Sequence, residues 1–118
     1  METKISATLL DYASPLFEGM PPSVPLEQRR SILQVAITVW NALVTAAWGG
    51  EDLLPDLFRR LDALPEPGRS TMRATIDMLV ARKRQLFARD LRGIGAWELR
   101  QTANGDVSLW AEARAPRR

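Results

Sequence analysis

Residues 25–50 read PLEQRRSILQVAITVWNALVTAAWGG, and the spacing of the apolar side chains in this stretch decides the fold. Pro25 suits a first helical position, Glu27 lies in the first turn where acidic residues oppose the helix dipole, and Gly49-Gly50 supplies a stop. A helix is therefore expected over 25–48. At about 100° per residue, Glu27, Arg30, Ser31, Gln34, Thr38, Asn41 and Thr45 fall in one polar arc, while Leu33, Ile37, Trp40 and Val44 lie on one flank and Ala36, Leu43 and Ala47 on the far side, an apolar arc of about two-thirds of the circumference. A helix that apolar has to be central, packed on more than one side.

Toward the N-terminus, Ile5 to Ala13 forms a short helical pattern with Ile5, Leu9 and Leu10 on one side. Ser14-Pro15 reads as a new helix start, with Ser14 as cap of a single turn over Leu16 to Glu18. Met20-Pro21-Pro22-Ser23 is loop. Toward the C-terminus, Glu51 to Leu64 carries Leu53, Leu54, Leu57, Phe58, Leu61 and Leu64 at helical spacing, with Pro55 either starting or bending the helix, and Pro65-Glu66-Pro67-Gly68 closes it. Ser70 or Thr71 can cap a fourth helix striped by Met72, Ile76, Leu79, Val80, Leu86 and Phe87 and ending near Gly93.

After Gly95 the period changes from 3.6 to two, the mark of strands. Trp97, Leu99 and Gln101 alternate with polar residues, and so do Val107, Leu109 and Ala111 around the turn at Asn104-Gly105. A two-residue turn would put Leu109 on the wrong face. A three-residue loop, Ala103-Asn104-Gly105 with Gly105 left-handed in a bulge, sets Leu99 opposite Leu109, Trp97 opposite Ala111 and Gln101 opposite Val107. An isolated hairpin is marginal in water, so its apolar face must pack on the helices. Ala113 to Arg118 reads as a frayed tail. The expectation is an α+β, mostly helical single domain over 1–118: about four helices and a C-terminal antiparallel hairpin.

With 118 residues, 46% hydrophobic and 25% charged, the chain buries a real core without metal or disulfide. It holds neither Cys nor His, which excludes thiol nucleophiles, Ser-His-Asp triads, imidazole bases and Cys/His zinc sites. A metal would need carboxylates alone. The pairs Asp52/Asp56 and Asp62/Glu66 have helical spacing but no converging third group, so no metal and no cofactor is expected. Net charge is only +2 despite a pI of about 9.7. Met1-Glu2-Thr3-Lys4 lacks the basic and apolar regions of a secretory signal, and a cytoplasmic protein is expected. Ser31 to Gly50 is uncharged and long enough for a membrane span. Its aligned Gln34, Thr38, Asn41 and Thr45 favour a buried core helix instead, with no membrane.

Several residues carry chemistry. Lys83 falls within the apolar stripe of the fourth helix; a buried ammonium there could act as a nucleophile or base, or could lay its stem on apolar neighbours. Asp90 is the first carboxylate expected as its partner. Arg82, Arg84, Arg89 and Arg92 form the densest basic stretch, open to phosphate contact but divided between faces. Asn41 could orient a ligand, or bond to solvent or another helix. Trp110 and Arg100 share the outer hairpin face within cation–π reach, and both are types that interfaces favour.

The leading expectation is a non-catalytic interaction or regulatory domain whose partner is a protein or a second copy. It would self-associate through the central helix around Trp40 or through the outer hairpin face. Weak nucleic-acid binding through Arg82–Arg92 is the alternative, and an enzyme using Lys83 with Asp90 comes third.

Overall fold

The computed structural model of the chain describes residues 3–21, 23–104 and 106–115. Four helices, α1 (Ile5–Phe17), α2 (Leu26–Ala47), α3 (Leu54–Leu61) and α4 (Gly68–Leu86), precede the antiparallel hairpin β1 (Gly93–Gln101) and β2 (Val107–Arg114). α2 is the axis. It touches α1, α3, α4 and β1, and its Leu33, Val39, Trp40 and Val44 are fully buried with Leu9, Tyr12, Ile76, Leu79, Ile94 and Leu99 from the other elements. Among the described residues α2 is the one helix long and apolar enough to cross a membrane; here its apolar arc is covered by the rest of the chain.

The stop after α2 is a complete Schellman motif. Gly49 takes the left-handed φ of 86°, its N–H donates to Ala46 O, and the Gly50 N–H donates to Thr45 O at 3.0 Å.

α1 differs from expectation: one helix runs unbroken through Pro15. Proline removes the N–H that would reach Asp11 O four residues back. That carbonyl is satisfied by the Ser14 hydroxyl at 2.8 Å and by Arg82 Nη2 at 2.9 Å. Ser14 repairs the helix rather than capping a new one.

α3 is shorter than the expected 51–64. The Asp52 carboxylate accepts the Leu54 N–H at 3.1 Å, setting the start with Pro55 in the first turn. Beyond Leu61 the chain tightens into three-residue turns, Ala63 N–H to Arg60 O and Leu64 N–H to Leu61 O, ahead of Pro65. α4 begins at Gly68, ahead of the expected Ser70, because the Glu66 side chain accepts both the N–H and the hydroxyl of Ser70. It ends at Leu86, seven residues before Gly93, for a reason that lies in Lys83.

The hairpin has the expected register, with Trp97 opposite Ala111, Leu99 opposite Leu109 and Gln101 opposite Val107. The expected left-handed Gly105 lies outside the described residues. Ala113 and Arg114, expected to belong to a frayed tail, pair with Ile94 and Gly93; 116–118 lie outside the described residues.

Candidate functional site

Residues 91–94, which run into β1 and form its first two positions, have no ladder partner on the side facing α2. Three α2 side chains supply one. The Trp40 indole N–H donates to Arg92 O at 2.7 Å and that of Trp48 to Leu91 O at 2.8 Å. The Asn41 amide donates to Ile94 O at 2.9 Å and accepts the Ile94 N–H at 2.8 Å. Asn41 thus takes the place of a strand residue, and its hydrogen bonds go to β1 rather than to solvent or another helix. Gly93 is required there: a Cβ would sit 2.8 Å from Trp48 Cη2. Trp40, fully buried, is no interface residue.

Lys83 is buried as the stripe position implies, 4% exposed. Its ammonium donates to Phe87 O at 2.6 Å and Asp90 O at 2.7 Å and lies 4.3 Å from the centre of the Trp40 ring. These bonds fold the segment after α4 back over its last turn, where the Phe87 carbonyl also accepts the Asp90 N–H at 3.1 Å, and the helix ends early. Burial lowers the Lys83 pKa, with the Asp90 charge opposing the shift. Asp90 is the partner, but through its backbone; hydrogen bonds from Arg92, at 2.6 and 2.9 Å, hold its carboxyl below the usual range.

The basic stretch divides. Arg82 ties α4 to the end of α1, donating to Tyr12 O and Asp11 O, and Arg92 bridges Asp90, Thr3 O and Thr8 Oγ1. Of these four arginines, Arg84 and Arg89 are the exposed ones. The acidic pairs are likewise engaged in part: Asp52 caps α3, Asp56 faces Arg59 and Arg60, and Glu66 caps α4. No group of three metal-ligating side chains forms among the described residues.

Tyr12, unremarked in the sequence, organises the centre. Its hydroxyl donates to Leu79 O at 2.9 Å, and its ring meets Trp40 and Phe87 edge-on at 5.1 and 5.7 Å. Nothing local distinguishes it, since its partners lie far along the chain.

The outer face of the hairpin remains. Trp110 is 56% exposed and faces Glu98 across the ladder, in a shallow hollow with Arg100, Ser108 and Leu109. Arg100 turns to Glu98 at 2.9 Å, so the cation–π contact expected with Trp110 gives way to an ion pair that holds the Glu98 carboxyl below its ordinary range. No family model, curated protein or solved structure matches the chain.

Proposed function

We propose that this chain is a non-catalytic interaction module that self-associates through the outer face of its C-terminal hairpin. The observation that carries the reading is Trp110, 56% exposed on a sheet face with no helix over it, whereas Trp40 is fully buried and Trp48 and Trp97 pack against the core. Large aromatic side chains left in solvent beside Arg are what protein interfaces use as anchors. The other sequence candidates support the same reading by their engagement inside the fold: Lys83, Asp90, Asn41, Arg82 and Arg92 all serve helix ends and the 91–94 segment.

Size-exclusion chromatography with light scattering, at low and high salt and with a mixed nucleic-acid pool, tests it. A salt-resistant dimer that becomes monomeric with Trp110→Ser is expected. A monomer that shifts only with nucleic acid at low salt would replace this reading with phosphate binding, for which the exposed Arg84 and Arg89 are the observation in favour.

A further inference from the structure

The register of the hairpin fixes which backbone groups point away from it. Thr102 N–H donates to Asp106 O at 2.7 Å, so residues of the pairs Arg100/Ser108 and Glu98/Trp110 face each other, and those of Gln101/Val107, Leu99/Leu109 and Trp97/Ala111 face outward. On β1 three of the outward groups are met by α2: Arg30 donates to Leu99 O at 3.0 Å, and Asn41 holds both the N–H and the C=O of Ile94. On β2 the N–H and C=O groups of Val107, Leu109, Ala111 and Ala113 have no hydrogen bond among the described residues. Leu10 and Val107, at that margin, are 42% and 37% exposed. β2 is an open edge without a Lys or Pro to blunt it.

We propose that two copies of the chain pair antiparallel through this edge with Trp110 opposite the partner's Trp110, making a four-stranded sheet. This rests on the self-association reading and specifies its geometry. The outward residues run from 107 to 113, so only a register centred on 110 satisfies all of them, joining Val107 with the partner's Ala113 and Leu109 with the partner's Ala111. The same register puts the two Trp110 rings in a non-hydrogen-bonded pair, where side chains come closest. It also sets Asp106 opposite the partner's Arg114, twice. Neither of those side chains has an ion pair among the described residues. Centring on Leu109 would instead oppose Asp106 to Glu112, like charges.

Because the full chain is cysteine-free, single cysteines report the register. Under mild oxidation Trp110→Cys is expected to give a covalent dimer and Ser108→Cys none. Ala111→Pro removes an N–H that faces away from β1, so the monomer fold survives, and the dimer should weaken about a hundredfold. Asp106→Arg and Arg114→Asp should each weaken it about tenfold, and together restore it. A wild-type dimer that keeps its affinity with Ala111→Pro, or that crosslinks through Ser108→Cys, overturns the edge pairing while self-association stands. A wild-type chain monomeric at every concentration overturns both.

Discussion

At the scale of single residues, buried polar groups are held by backbone carbonyls, and their protonation opposes or favours folding accordingly. Desolvation raises the Tyr12 pKa above its usual value near 10, against the smaller pull of Arg82. Above pH 10 the unfolded chain releases this proton while the fold retains it, so Tyr12 makes stability fall as pH rises. Tyr12→Phe should cost about 1 kcal/mol at neutral pH, through the bond lost at Leu79 O, and should flatten the alkaline decline in a pH series of urea melts. Lys83 acts with the opposite sign. Burial lowers its pKa from 10.5, so below that value the unfolded chain binds the proton more tightly and Lys83's contribution grows as pH rises toward 10.5. Lys83→Met takes the ammonium donor from the Asp90 carbonyl, leaves the Phe87 carbonyl with the Asp90 N–H alone, and should cost about 1–3 kcal/mol. The gap from wild type should widen between neutral pH and pH 10; a gap that narrows would contradict the burial of the ammonium.

At the scale of elements, the hairpin depends on a helix for its unpaired edge. Asn41 meets both backbone groups of Ile94, so Asn41→Leu strands a donor and an acceptor and should cost about 2–4 kcal/mol. Hydrogen exchange would show the Ile94 amide losing protection before the β1–β2 ladder does; equal loss throughout would mean that β1 docks by its apolar face alone. The elements that were legible in the sequence are those whose cause is local. Gly49-Gly50 closes α2, and the placement of Leu99 and Leu109 on one face selects the hairpin register. What was not legible has a cause distant in sequence. Pro15 reads as a break because the donor that repairs it includes Arg82 of α4. α4 reads as running on to Gly93 because periodicity does not show that Lys83 turns back on its own C-terminus. The site was half visible for the same reason: exposure of Trp110 follows from strand alternation, whereas the clamp of Trp40, Asn41 and Trp48 on 91–94 spans more than forty residues.

At the scale of the molecule, the fold is asymmetric in how well it is covered. α2 is enclosed by three helices and β1, whereas the two-stranded sheet has packed helices on its inner face only and leaves Trp110 in solvent. Two-stranded sheets are weak as independent units, and doubling this one would bury the exposed indole and satisfy the open edge together. Such a dimer couples folding to concentration, because a partner that binds only the folded state stabilises it by mass action. The thermal midpoint should therefore rise by about 2–4 °C for each tenfold increase in protein above the dissociation constant. High salt should leave that slope in place, since burial of the Trp110 rings is not screened, while slightly weakening the Asp106–Arg114 contribution. Trp110→Ser should give a midpoint independent of concentration and close to the wild-type value at high dilution, since the side chain it removes is not part of the core. A wild-type midpoint that stays level over a hundredfold range would show that the open side of the sheet is stable in water as it stands.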